Sequence, residues 1–524
     1  MELFAILGML IKTNGCAVFG VDAITISVEV DVNNQGKNYY IVGLPDNAIK
    51  ESLQRVEAAI KSNDYYMPRT KLLVNLAPAD IKKTGTAFDL PIALGTLAAT
   101  GQIEQPDSMS EYMIMGELGL DGEIKPIRGA LSMAIQTKKE KLKGIILPMY
   151  NAKEAAMVEG LSVFGALHLK DVVNHLNGEK PLEAVRVNIA DAFLMAQKTE
   201  ELDFSEVRGQ ENIKRALEIA AAGGHNAILI GPPGAGKTML AKRLPSILPP
   251  LNLEEALETT KIHSVSGKMP ENQSIICKRP FRNPHHTISD VGLVGGGGHP
   301  QPGEISLSHN GVLFLDELPE FKRTVLEVMR QPMEERKVTI SRAKISIDFP
   351  AGFMLIASMN PCPCGYFNHP EKSCSCGAVA VQRYLNKVSG PLLDRIDLHV
   401  EVTPVSFDEI KSSAVSEKSE EVRKRVVRAR EIQSERYVTQ EGIFSNAQMS
   451  SSMLRKICII DDSSQLLLKK AMEKLNLSAR AYDRILKVSR TIADLSESEC
   501  IRTEHLAEAI QYRSLDREHW GSHI

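Results

Sequence analysis

A glycine-rich stretch, AILIGPPGAGKTMLAKRL at 227–244, carries residues whose types and spacing fit phosphate chemistry. Its pattern is G-x-x-x-x-G-K-[ST], in which backbone N–H groups wrap phosphate oxygens, the lysine reaches the outer phosphates and the hydroxyl binds Mg²⁺. An apolar run precedes the motif and a helical pattern follows it, so we predict a site for ATP and Mg²⁺ rather than a chance Gly/Pro turn. The predicted binding residues are Gly231, Pro232, Pro233, Gly234, Ala235, Gly236, Lys237 and Thr238.

A second motif, GVLFLDELPEF at 311–321, supplies two carboxylates that fit the same chemistry. Its four apolar residues predict a buried strand with Asp316 and Glu317 at the carboxyl end, where open α/β sheets bind ligands. We expect Asp316 to belong to the Mg²⁺ shell and Glu317 to polarise the attacking water. Asp316 lies 79 residues after Lys237, which leaves room for an inserted segment.

Three more residues follow these motifs in an order that favours ATP hydrolysis. Asn360 ends a third apolar strand, FMLIASMN, where an amide can orient the lytic water. Arg395 lies between two aspartates in GPLLDRIDLHVEV. An arginine supplied by a neighbouring molecule stabilises the charge of a phosphoryl-transfer transition state. Arg480 begins a helix in LSARAYDRIL. A surface salt bridge is the ordinary alternative for each arginine.

The segment ERKVTISRAKISIDFP, 335–350, predicts a β-hairpin with a basic tip at Arg342 and Lys344. Cations at such a tip bind successive phosphates without regard to base sequence, so both residues are candidate DNA contacts. An edge hairpin with solvated charges is the alternative.

A stretch rich in His, Gly and Pro, 279–303, lies between the two ATP motifs. The four glycines 295–298 predict a mobile loop without a stable element, which would serve as a second pore loop. His285 and His286 as metal ligands are the alternative, although adjacent histidines in a strand chelate poorly.

Four of the eight cysteines fall within 362–376. Cys362 and Cys364 form one pair, Cys374 and Cys376 another, with nine residues between the pairs. Four thiolates can enclose a structural Zn²⁺, but common zinc sites have two or more residues inside each pair, and here there is one. Reduced thiols in a loop are therefore the alternative.

The overall composition is that of a globular protein of 524 residues, with 43% hydrophobic and 24% charged residues. The formal net charge of −3 gives no global attraction to nucleic acid, so any contact with a polyanion requires a local basic patch. No apolar run approaches the ~18 residues of a membrane span. Free thiols indicate a reducing compartment, and we expect a cytoplasmic protein without membrane contact.

The pattern of elements predicts three domains joined by one linker. Residues 1–180 are typical of a mixed α/β domain, 181–205 of a linker, and 206–405 of a parallel α/β sheet in which strands and helices alternate. Residues 406–524 are helical, charged and poor in glycine. Within them, 421–436 predicts a basic helix that either packs as a solvated part of a lid or faces DNA.

Taken together, these motifs and several longer strings resemble the ComM/YifB family of AAA+ ATPases, within the Mg-chelatase-like group. Strings that carry the resemblance are VGLPDNAIKES (42–52), VNLAPADIKKTGTAFDLPIALG (74–95), GQENIKRALEIAAAGGHN (209–226), RPFRNPHHTISDVGLVGGG (279–297) and RTIADL (490–495). The resemblance implies a P-loop core with a helical lid.

The resemblance also implies a homo-hexameric ring with ATP between subunits. One subunit would supply Lys237, Asp316, Glu317, Asn360 and Arg480 together with Thr238, and its neighbour would supply Arg395. The implied function is a DNA motor, a branch-migration helicase of recombination and natural transformation. An ATP-dependent remodeller of a protein or cofactor enzyme, as magnesium chelatase subunits are, is the alternative.

The first domain resembles the proteolytic domain of Lon proteases, of the ribosomal S5 domain 2-like fold, chiefly in GELGLDGEIKPIRGAL (116–131). Lon proteases need a serine nucleophile and a lysine base. Phe88 or Asp89 stands where the serine would fall, and Leu131 stands near the position of the lysine. We therefore expect a proteolytically silent scaffold or DNA-contact domain.

Overall fold

The computed structural model describes residues 10–33, 36–191, 202–270, 273–298, 300–342, 345–367, 369, 371–404, 416–440 and 442–513, with only the backbone of Arg342 and Ile345. The chain divides into two compact units. The first comprises Met1–Gln197 and Leu253–Cys277, and the second comprises Lys198–Asn252 and Lys278–Ile524.

Strands and helices alternate along the first part of the chain. The strands are β1 (Ile11–Phe19), β2 (Asp22–Asn33), β3 (Tyr39–Val42), β4 (Lys71–Ala77), β5 (Tyr112–Ile114), β6 (Glu117–Leu118), β7 (Ile124–Lys125), β8 (Gly144–Pro148) and β9 (Ser162–Ala166). The helices are α1 (Asn47–Ser62), α2 (Asp89–Ala99), α3 (Ala130–Lys139), α4 (Met149–Ala155) and α5 (Leu169–Leu176).

The later part of the chain adds a second set of strands, and its described part from residue 416 onward is helical. The strands are β10 (Ala227–Ile230), β11 (Phe281–Arg282), β12 (Gly295–Gly296), β13 (Gln301–Pro302), β14 (Val312–Leu315), β15 (Lys337–Arg342), β16 (Ile345–Pro350), β17 (Met354–Met359) and β18 (Leu398–Glu401). The helices are α6 (Glu211–Gly223), α7 (Lys237–Arg243), α8 (Leu253–Ser266), α9 (Asp290–Val294), α10 (Glu304–Leu307), α11 (Arg323–Val328), α12 (Arg330–Glu335), α13 (Ala378–Leu385), α14 (Gly390–Leu393), α15 (Ser419–Arg436), α16 (Ser451–Ile457), α17 (Asp462–Lys474), α18 (Ala479–Leu495) and α19 (Thr503–Gln511). Over the described residues, none of these helices combines the length and apolarity that a membrane span requires.

The first unit is built on a mixed seven-stranded sheet in the order β3-β4-β2-β1-β5-β8-β9. β2 alternates buried and partly exposed residues, as its apolar–polar alternation predicts. α1 begins directly after Asp46, whose carboxylate caps the helix by accepting from the N–H of Ile49 at 2.9 Å. β6 and β7 pair in antiparallel register and form a hairpin.

Helix α8 belongs to the first unit although it lies between the two ATP motifs in the sequence. Its Lys261 Nζ bonds Asp22 Oδ1 at 2.7 Å, and its Ser264 carbonyl accepts from the N–H of Gly129 at 3.3 Å. The Ser264 hydroxyl also donates to the buried carboxylate of Glu154. The long interval between the motifs therefore contains a segment that completes the other unit.

The second unit is built on a five-stranded parallel sheet in the order β11-β14-β17-β10-β18. The four longer strands are almost entirely buried, as their continuous apolar runs predict for a sheet covered on both faces. Ile230 pairs with Met359, and Leu315 pairs with Ala357. The carboxyl ends of β10, β14 and β17 therefore meet at one edge.

Two short ladders lie outside this sheet. β15 and β16 pair in antiparallel register from Lys337 opposite Pro350 to Arg342 opposite Ile345, which confirms the predicted hairpin. Gly295 pairs with Pro302 and Gly296 with Gln301, so the prediction of a loop without a stable element is wrong for these residues. The absence of a side chain permits this ladder, since a Cβ at position 295 would lie 2.4 Å from the carbonyl oxygen of Gln301.

Among the helices after residue 416, α15 and α18 pack against α6. A buried carboxylate joins side chains from several parts of this helical segment. Asp494 on α18 accepts from Arg436 at 2.6 and 2.8 Å, from Arg490 at 3.0 Å and from Asn446 at 2.8 Å. Its side chain is fully buried. The string RTIADL therefore contains a charge that is satisfied entirely within the helical segment.

We expect Asp494→Ala to destabilise the second unit by about 3–5 kcal/mol, because it removes the carboxylate that the buried Arg490 and the partly buried Arg436 share. The measurement is thermal unfolding, following the transition that added nucleotide shifts. Glu473→Ala, on the exposed face of α17, is the control and should leave that transition in place. An Asp494→Ala protein as stable as the control would show that this network does not hold the helices together.

Candidate active site

The phosphate-binding motif forms a tight loop between β10 and α7, as its sequence pattern predicts. Gly231 lies so close to the last strand that a Cβ would sit 2.2 Å from the carbonyl oxygen of Val402. Gly236, immediately before α7, has a φ of 81°, which favours glycine. Gln210 supports the loop by donating to the carbonyl of Ala235 at 2.8 Å. The loop is therefore held at Gly231 by its close contact with Val402 and at Ala235 by the hydrogen bond from Gln210.

The Lys237 ammonium lies at the centre of this loop. Its Nζ donates to the carbonyl oxygens of Gly231 at 2.6 Å and Pro232 at 2.9 Å, and to Asn360 Oδ1 at 3.1 Å. Burial lowers the pKa of Lys237 to about 8, against the opposing influence of Asp316 and Glu317. The side chain is thus a buried cation whose acceptors are neutral oxygens.

Thr238 and Asp316 are brought into direct contact. The Thr238 hydroxyl donates to Asp316 Oδ2 at 2.7 Å, and the other carboxylate oxygen accepts from Ser358. A hydroxyl and a carboxylate oxygen side by side form a hard-ligand pair suited to Mg²⁺. Ser358 was not singled out by sequence reasoning, although a serine in the otherwise apolar strand β17 is a recognisable signal.

Glu317 is held by its backbone while its side chain remains more than half exposed. Its N–H donates to Asp316 Oδ1 at 3.1 Å and to the Ser358 hydroxyl at 3.4 Å. Its φ of 54° lies in the left-handed region, which is uncommon for a residue with a side chain. Nδ1 of His286 lies 3.8 Å from Glu317 Oε2, a proximity that the sequence did not reveal.

Arg395 is buried in its own chain, with 7% of its surface exposed. Its guanidinium donates to the carbonyl of Pro391 at 2.6 Å and forms an ion pair with Glu334 at 2.8 Å. Its backbone carbonyl accepts from Asn226, the residue that precedes β10, at 3.3 Å. Arg395 therefore lies near the amino end of β10, whereas Lys237 follows the carboxyl end of that strand.

Arg480 is not brought together with Lys237 either. It lies exposed in the first turn of α18, one turn before Arg484. Arg484 Nη1 bonds the buried carboxylate of Asp397 at 2.8 Å, and the other oxygen of Asp397 accepts from the N–H of Asn226 at 3.0 Å. Although burial opposes ionisation, Arg484 and His225 hold the pKa of Asp397 below its usual range. Arg480 thus lies near the edge that carries Arg395.

The remaining candidates fall into three groups. The sulfur atoms of Cys362, Cys364, Cys374 and Cys376 all lie within 4.8 Å of one another. Arg342 ends β15, but its side chain and the whole of Lys344 lie outside the described part of the structure. In the first unit, Phe88, Asp89 and Leu131 are buried, and Arg55 bonds the Asp89 carboxylate at 2.7 and 2.9 Å.

Comparison with known protein families covers most of the chain. Residues 203–410 match the family described as magnesium chelatase, subunit ChlI, and residues 28–151 match that described as subunit ChlI of Mg-chelatase. Residues 416–513 match the family described as magnesium chelatase, subunit ChlI C-terminal. The expected fold, an AAA+ core with helices after it, is confirmed by these matches.

Individual relatives extend over nearly the full length. The chain is 42% identical to competence protein ComM of Haemophilus influenzae over 96% of this chain and 97% of that protein. It is 44% identical to YifB of Escherichia coli over 96% of each. It is also 31% identical to Lon protease 2 of Bacillus subtilis over 29% of each chain, which agrees with the expected Lon-like region.

We expect the affinity of the phosphate loop for ATP to fall about tenfold between pH 7 and pH 9, because Lys237, with a pKa of about 8, loses its charge over this interval. The phosphate groups titrate near pH ~6 and stay ionised throughout. The measurement is titration with a fluorescent ATP analogue in EDTA.

Lys237→Arg is the matched control, because guanidinium remains protonated across this range. Its binding should be nearly independent of pH, whatever its absolute strength. An equal pH dependence in wild type and Lys237→Arg would assign the effect to another group.

Proposed function

Because the chain belongs to the ComM/YifB family of Mg-chelatase-like AAA+ proteins, we propose that it hydrolyses ATP between the subunits of a homo-hexameric ring and uses the energy to move DNA. Its function would be that of a branch-migration helicase in recombination. The observation that carries the ATPase part is the convergence of Lys237, Thr238, Asp316, Glu317 and Asn360 at one edge of the sheet.

In this proposal the loop binds the triphosphate and the residues around it prepare hydrolysis. Phosphate oxygens replace the carbonyl groups that accept from Lys237, and Thr238 with Asp316 holds Mg²⁺. Mg²⁺ supplies neutralisation of the phosphate charge. Glu317 takes the proton of the attacking water, while Asn360, fixed by its contact with Lys237, orients that water.

The position of the two arginines supports a site shared between subunits. The carbonyl of Arg395 accepts from Asn226 at the start of β10, whereas Lys237 follows the end of that strand. Arg480 lies one turn before Arg484, which bonds Asp397 beside Asn226. We assign both to the neighbouring site, which changes the expectation that Arg480 acts beside Lys237. Arg395 would exchange its ion pair with Glu334 for the phosphate of the neighbour.

The DNA part of the proposal depends on the hairpin β15–β16 and on the full-length similarity to a competence protein. With a net charge of −3, a local cluster must attract the polyanion, and the tip at Arg342 and Lys344 is the candidate. Remodelling of a protein or cofactor-enzyme partner is the second candidate function, favoured by the matches to magnesium chelatase subunit families. The first unit would be a proteolytically silent scaffold or a DNA-contact domain, because Phe88 or Asp89 stands where the Lon serine would fall and Leu131 stands near the position of the lysine.

We expect Glu317→Gln to bind ATP and to lower its hydrolysis by about 10²–10⁴, the usual contribution of a positioned general base. The measurement combines phosphate release with binding of a fluorescent ATP analogue. Glu431→Gln, an isosteric change on α15, is the control and should hydrolyse ATP as wild type does. Undiminished turnover by Glu317→Gln would remove this residue from the reaction.

A mixture of Arg395→Ala and Lys237→Ala subunits should hydrolyse ATP although each variant alone does not. Mixed rings contain sites that combine an intact loop from one subunit with an intact arginine from the next. The measurement is phosphate release as a function of the mixing ratio. If no mixture is active while wild type mixed with either variant is, Arg395 does not act across the interface.

Forked DNA should stimulate ATP hydrolysis by the wild type at low salt, with the effect declining as salt rises. Arg342→Ala with Lys344→Ala should abolish stimulation and leave basal hydrolysis unchanged. Lys337→Ala, which removes a charge at the base of the same hairpin, is the control. A wild-type ATPase indifferent to every DNA tested across the salt series would favour the protein-remodelling function.

A further inference from the structure

The cysteine pairs that flank the loop after β17 meet in space. Sγ of Cys362 lies 3.4 Å from that of Cys364 and 3.7 Å from that of Cys374, and the latter two lie 3.6 Å apart. Cys376 completes the set, with all four sulfur atoms within 4.8 Å of one another. The single residue inside each pair therefore does not prevent convergence of the four thiols.

The three distances of 3.4–3.7 Å are close to those of a tetrahedral metal site. Zn–S bonds of ~2.3 Å place the sulfur atoms of a tetrahedron about 3.8 Å apart. A disulfide needs ~2.05 Å, and all four cysteines are free thiols. Thiolates select zinc over the Mg²⁺ that oxygen ligands hold. The donor set at this loop is therefore chemically distinct from the pair formed by Thr238 and Asp316.

The cysteine loop also contacts the phosphate-binding loop. Gly365, directly after Cys364, has a φ of 83°, and a Cβ there would lie 2.5 Å from Pro233 Cδ. On the other side of the pair, Asn360 precedes Cys362 by two residues and accepts from Lys237 at 3.1 Å. A bond between the carbonyl of Cys362 and the N–H of Gly365, 3.0 Å long, closes the turn between these contacts.

The second cysteine pair directly precedes a helix that lines the candidate active site. Helix α13 begins just after Cys376, and its Arg383 and Tyr384 line a cavity of about 450 Å³ together with Glu317 and Asn360. The four cysteines thus join the segment that carries Asn360 to the segment that carries α13. A metal bound by all four would fix the distance between these two walls.

We propose that Cys362, Cys364, Cys374 and Cys376 bind one structural Zn²⁺, and that this ion braces the phosphate loop and Asn360 for ATP hydrolysis. Zinc is a ligand of the folded chain and takes no part in the reaction. Binding of the metal is independent of the proposed function, whereas the bracing rests on it.

Metal content tests the zinc site directly. We expect one zinc per chain after dialysis of the purified protein against EDTA, measured by mass spectrometry, and cobalt substitution should give thiolate-to-metal absorption. Cys374→Ser should lose the metal, while Cys500→Ser, at an exposed cysteine outside the cluster, should retain it. A metal-free wild type with four reactive thiols at these positions would overturn the proposal.

The bracing role is tested by removing zinc reversibly from the wild type with a thiol reagent and a chelator. We expect ATP affinity and kcat to fall about 10–100-fold and to return when thiols and zinc are restored, the scale of effects seen for supporting residues around metal sites. Unchanged ATP binding and hydrolysis after zinc loss would overturn the bracing and leave the metal site intact.

Gly365→Ala separates the contact with Pro233 from metal binding. It should keep its zinc, because no ligand is altered, and should bind ATP more weakly, because the new Cβ displaces Pro233. Gly377→Ala, where a Cβ meets no atom of the described residues within 4 Å, is the control. A zinc-loaded wild type that binds no ATP would contradict the proposed function and not the zinc site, whereas equal ATP affinity of both glycine variants would contradict the bracing.

Discussion

The parallel register of β10, β14 and β17 is the constraint on which the active site depends. β17 lies between the other two strands, and the N–H of Gly231 donates to the carbonyl of Met359 at 3.2 Å, extending the ladder one residue into the phosphate loop. The residues that follow each strand must therefore lie together, however far apart they are in sequence. The bond between Thr238 and Asp316, which spans 78 residues, is a direct result.

At the amino end of β10 the sheet carries an ion pair and an arginine instead of a phosphate loop. Asp397 is tied to the start of β10 through Asn226 and to α18 through Arg484, so this helix is attached to the edge that carries Arg395. A strand of four residues, about 13 Å long, separates this edge from the phosphate loop. Lys237, Thr238 and Asp316 therefore lie where the strands end, whereas Arg395 lies where β10 begins.

Local signals predicted most of the second unit, and long-range contacts account for what they missed. A strand followed by a glycine loop and a helix is recognisable within 20 residues, and Asp316 and Asn360 were found because each follows an apolar run. Helix α8 gives no such signal, since the residues that hold it, Asp22, Gly129 and Glu154, lie more than 100 residues away in the sequence. The left-handed turn at Glu317, whose N–H donates to Ser358, and the contact of Gly365 with Pro233 are likewise absent from any local pattern, because each involves a residue distant in sequence.

Burial of Arg395 is compatible with an action on a neighbouring subunit for an electrostatic reason. Its partner Glu334 is 49% exposed, and an ion pair screened by solvent on one side contributes little free energy. Its buried Nε has no hydrogen-bond partner among the described residues, so the guanidinium is incompletely satisfied by them. A phosphate oxygen would supply a fully charged acceptor to a donor that lacks one. The isolated chain therefore holds Arg395 in a weak pairing that a stronger anion can replace.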